Sequence, residues 1–307
     1  MRALIFKRAV RRAVSYASLI LSPLDWLIKF STIKQSRKKY IPIFIVGASR
    51  SGTTLVYQAV SCIHKLNYVN SIISKMPYAP IFAIFITKTL FSEKEISFQS
   101  EYGISSGLRA PQQGNEIWSR WLPKKGRPHK NKINSMFHNI NDMQSAFNGP
   151  MAIKWPGFVA YLEDIRVVNA DAFYIFIERD AISNAKSIYK GRLDLNGNPL
   201  KTISRIPRSY KYNGRSAAAS VCEYIKSSQR DIENFKNHLC ESQFVNLKYE
   251  DFCKNPKQYI QKIMDRYSDY SGFRLEKFEG IPDSFRVSDG PRLPDDIEGE
   301  MQSYLKN

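Results

Sequence analysis

The run Ile41-Pro-Ile-Phe-Ile-Val46 opens directly into Gly47-Ala-Ser-Arg-Ser-Gly52-Thr-Thr54, and this junction restricts the possible folds more than any other feature of the chain. A short segment that is apolar at consecutive positions and rich in β-branched residues predicts a strand buried on both faces, as in a parallel sheet covered by helices on each side. Residues 53–66 follow with Leu55, Ala59, Val60 and Ile63 at helical spacing, so the unit is strand, glycine loop, helix. Residues 172–178 repeat the buried-strand pattern and lead at once into a helix over 181–190, with Asp180 placed as its N-cap. Further helices are predicted over 158–168, from about 216 to 238, and from Pro256, where proline suits the first turn; 244–247 is another strand. Strands alternating with helices predict an α/β fold, a three-layer α/β/α arrangement around a mostly parallel central sheet.

The chain divides into a basic amphipathic helical segment over 1–40 and a single domain over 41–307, with no repeat or compositional break inside the latter. Its 46 Lys and Arg stand against 28 Asp and Glu, a net charge of +18, while 43% hydrophobic residues exclude disorder and suffice for a core. Cys62, Cys222, Cys240 and Cys253 are scattered without CxxC or Cys/His ligand spacing. That pattern argues against a disulfide framework or a zinc site and predicts reduced, buried thiols in a cytoplasmic protein.

The excess positive charge calls for an anionic partner. In the leader, Phe6, Val10, Val14, Ala17, Leu21 and Leu24 recur on one helical face, with Arg8, Arg11, Arg12, Ser15 and Ser18 on another. Such a helix either lies on an anionic membrane surface or packs on its own domain; the sequence leaves both open. The stretch 13–24, bounded by Arg12 and Asp25 and interrupted by Pro23, is too short to span a bilayer, and no small-residue cleavage site follows it. The apolar run 78–87 is read as a buried helix, or as part of an acceptor surface that touches lipid. Most loop signals lie in 68–149, the expected seat of acceptor specificity. No basic stripe interleaved with aromatic residues points to nucleic acid.

The glycine loop carries the chemistry. Two glycines let the backbone curl until successive N–H groups converge on an oxyanion at a helix N-terminus. In a nucleoside triphosphatase a lysine follows the second glycine, but here that position is Thr53. The cation sits inside the loop as Arg50, whose planar fork suits a terminal anionic group. Glu178-Arg179-Asp180 at the end of the second buried strand, with Ser187 two turns into the next helix, forms a second anion site. Ligands of open parallel sheets bind at the carboxyl ends of strands, so both loops face one crevice. Taken singly, the first motif also describes an incidental strand-to-helix turn, and the second an arginine paired with a carboxylate.

Together these residues resemble the sulfotransferase superfamily, in its P-loop-like branch of bacterial sulfotransferase-domain proteins. Gly47-Ala-Ser-Arg-Ser-Gly-Thr-Thr-Leu55 is similar to the family's 5′-phosphosulfate loop, and Arg179-Asp180 with Ser187 to its 3′-phosphate motif. Ile153-Lys154-Trp155-Pro156 resembles its Lys-x-Pro element, and Leu247-Lys-Tyr-Glu-Asp-Phe252 before Asn255-Pro256 its late Tyr-Glu-Asp segment. The resemblance implies a P-loop NTPase-like fold and a donor, 3′-phosphoadenylyl sulfate (PAPS), from which a sulfuryl group passes in line to an acceptor hydroxyl or amine without a metal. It gives Arg50, Ser51, Gly52, Thr53 and Thr54 to the 5′ end of the donor, and Arg179 and Ser187 to its 3′-phosphate.

Lys154 is implied to steady the transferring group or the bridging oxygen, an ordinary surface lysine before a proline being the alternative. The tail 286–292 resembles the family's late loop that folds over the donor, which adds Ser288 and Arg292 as contacts; a polar linker is the alternative. Related branches carry a glutamate or histidine downstream of the loop helix, but 68–77 contains neither. Glu116 is then the candidate general base, against a plain first-turn helix carboxylate. His64 is read as a core or boundary residue, His129, His138 and His238 as solvated, and Tyr249, Glu250 and Asp251 as anchors of the sheet edge. The expected acceptor is a hydroxyl of a glycan, glycolipid or lipid-linked intermediate met at the cytoplasmic membrane face. The competing expectations are a P-loop kinase, which Thr53 disfavours, and a non-enzymatic basic protein docked on anionic lipid.

Overall fold

The computed structural model describes residues 16–33, 39–90, 96–100, 105–124, 126–168, 171–212, 214 and 216–306. Five parallel strands form one sheet: β1 (Ile43–Gly47), β2 (Asn67–Tyr68), β3 (Met151–Lys154), β4 (Phe173–Glu178) and β5 (Phe244–Lys248), in the order β2-β3-β1-β4-β5. Among the described residues, the helices of eight residues or more are α1 (Ser22–Ile33), α2 (Thr53–Ser61), α3 (Pro80–Leu90), α4 (Lys130–Phe147), α5 (Ala181–Asn196), α6 (Ala217–Lys236), α7 (Pro256–Ser271) and α8 (Asp295–Lys306).

Alternation along the strands divides the apolar residues between two cores. Ile43 and Ile45 of β1 point with Phe173, Ile175 and Ile177 of β4 towards α2 and α7. Phe44 and Val46 point with Tyr174 and Phe176 towards α4 and the end of α6, over a cluster that also takes in α3. The register Ile43↔Phe173 and Phe44↔Tyr174 keeps like faces together, and every residue of β1 is buried. A third cluster joins α5, α6 and α8. The three-layer α/β/α architecture predicted from the buried runs is the one observed.

Some boundaries differ from expectation. Helix α2 stops at Ser61 rather than continuing to 66, because the chain turns, with Lys65 at φ 62°, to enter β2. The segment expected as a helix over 158–168 is a 3₁₀ turn, Pro156–Tyr161, followed by the short helix Leu162–Val167. The loop-rich 68–149 region contains the 18-residue α4. Cys62, Cys222 and Cys253 are buried, whereas Cys240 is exposed. Of the leader's proposed apolar face, Phe6, Val10 and Val14 lie outside the described residues.

The order of the strands sets the site. The chain leaves β1 towards β2 on one side and leaves β4 towards β5 on the other. The turns after β1 and β4 therefore diverge and open a crevice between them at the carboxyl edge.

Candidate functional site

The turn after β1 is shaped by two left-handed residues, Arg50 at φ 65° and Gly52 at φ 93°. Such residues curl a backbone so that its N–H groups face inward, as an anion cradle requires. A left-handed conformation costs an ordinary L-residue about 1–2 kcal/mol, so Arg50 is held there by its surroundings. Gly52 is the N-cap of α2 and has no side chain with which to cap the first N–H groups of that helix. A Cβ at Gly52 would stand 2.2 Å from a ring carbon of Tyr249, so the aromatic ring abuts the loop.

The two cationic motifs meet. Arg50 Nε donates to Ser187 Oγ at 3.1 Å, and Arg179 Nη1 donates to the Arg50 carbonyl at 2.7 Å. Arg179 Nη2 donates to the carbonyl of Ser288, and its guanidinium lies 4.7 Å from the centroid of the Tyr249 ring. The late loop does fold back onto this corner, but Ser288 contributes its backbone to Arg179. Asp180 caps α5 as expected, its carboxylate accepting from Ser183 N at 2.8 Å, while its own N–H donates to Glu250 Oε1 at 3.0 Å.

Lys154, the last residue of β3, is 3% exposed, and its Nζ donates to Thr54 Oγ1 at 2.9 Å. Burial, reinforced by the charge of Arg50, lowers its pKa to about 7. It is no surface lysine. Three buried polar atoms, Ser51 Oγ, Arg179 Nε and Asn184 Oδ1, find no hydrogen-bond partner among the described residues. All three residues line one cavity of about 190 Å³ at the base of the loop.

A larger cavity, of about 740 Å³, opens beside the end of β3. Trp155 stacks on Tyr161 in its wall at 6.1 Å and 7°, with the Arg205 guanidinium 5.6 Å from the Trp155 ring. Arg127, paired with Asp164 at 3.0 Å, and Arg208 also line it. Lys154, bonded to Thr54 of α2, directly precedes Trp155 of this cavity, so loop and cavity are neighbours. Glu116 is half-buried on the short helix Asn115–Trp118, between Asn115 and Ser119, which line the cavity; Glu116 itself is not part of the lining.

The structure thus brings Arg50, Thr54, Lys154, Arg179, Ser187 and the Ser288 backbone to one corner, with Ser51, Gly52 and Thr53 on the same loop. Arg292 is exposed, where its charge reaches Glu298 of α8. Sequence reasoning missed Tyr249 as part of this corner, although its place directly after β5 at the carboxyl edge was the available signal. The histidines lie apart: His64 faces Glu279 at 3.5 Å, His129 caps α4, and His138 and His238 are exposed.

The profile of a family described as "Sulfotransferase family" matches residues 42–268. No curated protein sequence matches the chain. Among solved structures, sulfotransferase STF9 from Mycobacterium avium superposes with a TM-score of 0.51 at 14% identity, over 90% of this chain and 70% of that one. Sulfotransferase STF1 from Mycobacterium tuberculosis H37Rv gives 0.46 at 13% identity, over 81% and 74%. The sulfotransferase domain from the curacin biosynthetic pathway gives 0.44 at 16%, over 75% and 74%.

Proposed function

The chain belongs to the sulfotransferase family, and from that premise we propose that it moves a sulfuryl group from PAPS to a hydroxyl of an acceptor. The observation that carries the reading is the meeting of Arg50, Arg179 and Ser187 at one corner of the sheet. A donor with an anionic group at each end of a ribose asks for two adjacent cationic grips, which two separate motifs supply here. The unpartnered donors Ser51 Oγ–H and Arg179 Nε–H, and the curled loop between Gly47 and Gly52, fit such a ligand.

In this reading Arg50, Ser51, Gly52, Thr53 and Thr54 hold the 5′ phosphosulfate, while Arg179 and Ser187 hold the 3′-phosphate. Ser288 supports Arg179 through its carbonyl, and Arg292 belongs to the same late loop as an outer contact. Bound PAPS supplies a sulfuryl group whose bond to the bridging phosphate oxygen breaks as the bond to the acceptor oxygen forms. Arg50 and Lys154 neutralise the charge that gathers on the bridging oxygen, the part that metal ions play in many phosphoryl transfers. Glu116 takes the acceptor proton. The acceptor, a hydroxyl-bearing glycan, glycolipid or lipid-linked intermediate, enters the 740 Å³ cavity, where the stacked Trp155–Tyr161 pair offers an apolar face. The enzyme works in the cytoplasm, with 41–307 as its sulfotransferase unit.

Calorimetry with adenosine 3′,5′-bisphosphate on wild type, Arg50→Ala and Arg179→Ala tests this. Each substitution is expected to cost about 1.5–3 kcal/mol of binding, the range for hydrogen bonds to charged groups. Equal affinity across the three proteins would overturn the donor assignment.

A further inference from the structure

The described leader residues 16–33 are attached to the domain the wrong way round for a segment that simply completes a core. Its polar positions face inward. Ser18 is 2% exposed and its Oγ accepts from Tyr78 N at 3.3 Å; Asp25 Oδ1 accepts from Phe82 N at 2.8 Å; Lys29 pairs with Asp142. Among the described side chains of α1, Ile28 is the one that packs on the core cluster. On the opposite side Tyr16, Leu19, Ile20, Trp26, Leu27 and Phe30 are 45–81% exposed. Within Ser22–Ile33, helical spacing puts Trp26, Leu27 and Phe30 on one side and Asp25 and Lys29 on the other; before the turn at Leu21, Tyr16, Leu19 and Ile20 share the side of their helical turn away from Ser18. Trp26 and Phe30 stack at 5.8 Å and 21°.

Exposed large apolar side chains clustered in this way mark a binding surface. The chain around it identifies the occupant. The first forty residues carry ten Lys and Arg against one acidic residue, Asp25, and that carboxylate is turned inward onto Phe82. Two copies of the chain joined through these side chains would bring like charges together, whereas an anionic lipid surface offers apolar depth and opposite charge at once. No helix among the described residues is long and apolar enough to cross a membrane, so the surface suits a helix lying in the headgroup layer. We propose that the outward apolar side chains of 16–30 dock the protein on an anionic lipid bilayer. The proposal goes beyond the donor reading and does not depend on it.

The test uses the full chain with vesicles of phosphatidylcholine alone and of phosphatidylcholine mixed with phosphatidylglycerol. Trp118, Trp121 and Trp155 are at most 6% exposed, so a vesicle-induced change in tryptophan emission reports Trp26. Wild type is expected to sediment with the anionic vesicles with a blue-shifted emission, and Trp26→Asp/Leu27→Asp/Phe30→Asp to lose about tenfold or more in partitioning. The three positions are exposed, and an unchanged circular-dichroism spectrum and urea midpoint in the variant show that the fold is intact. Binding to anionic vesicles that the triple substitution leaves unchanged would overturn the proposal, as would a wild-type dimer, abolished by the substitution, in a protein that ignores vesicles. Failure to bind the bisphosphate would sink the donor reading and leave this test standing.

Discussion

Lys154 combines a cation, near-complete burial and a second cation nearby, and its protonation follows from that combination. The unfolded chain keeps the ammonium protonated to the ordinary value of 10.5, whereas the folded protein releases the proton near pH 7. Between those values the unfolded state binds more protons, so the stability contributed at this position rises with pH from about 7 and levels off as 10.5 is approached. Lys154→Met is expected to remove that slope in denaturant titrations across the range. An anion placed beside Lys154 favours the charged form and pulls the proton back. At about pH 8, binding of adenosine 3′,5′-bisphosphate should therefore take up a proton, seen as an enthalpy that varies with the ionisation heat of the buffer. Lys154→Met should abolish that dependence, and a wild-type enthalpy indifferent to buffer would refute the linkage. Arg50, Arg179 and Ser187 were legible in the sequence because their chemistry is tied to motif spacing after buried strands. Tyr249 was legible only as a residue at the carboxyl edge after β5; its pairing with the Arg179 guanidinium was not, since that contact joins segments far apart in the chain.

The loop between β1 and α2 depends on Gly52 for two independent reasons, a φ of 93° and the Tyr249 ring where a Cβ would stand. Gly52→Ala should therefore cost about 1–2 kcal/mol from the left-handed backbone alone, and more from the collision. Urea denaturation would register the loss, and bisphosphate affinity should fall with it; an alanine variant as stable as wild type would show that the loop is not held in this form. Strands β1 and β4 were readable because five consecutive buried residues in each leave a continuous apolar run. β2 has two residues and β3 has four, ending in a lysine, which is too short for any period to show. Helix α4 did leave a signal, Ile133, Met136, Phe137, Ile140 and Met143 at helical spacing, that the surrounding prolines and glycines obscured.

Both faces of the sheet meet at β1, so the two main cores fail together. Phe44 is fully buried and packs against Phe137, Phe158 and Tyr174. Phe44→Ala should cost about 3–5 kcal/mol and keep a single transition followed alike by fluorescence and circular dichroism; two separated transitions would mean that the faces fold independently. The layered architecture, the glycine loop and the second arginine motif were written in local pattern, because burial on both faces and tight phosphate-type turns demand particular residues at adjacent positions. Which side of the leader helix faces the domain was not, nor was the burial of Lys154 or the backbone role of Ser288. Each of these depends on what packs alongside, from Phe82, Thr54 and Arg179 respectively, and such neighbours are chosen by the folded sheet, at separations over which no sequence period extends.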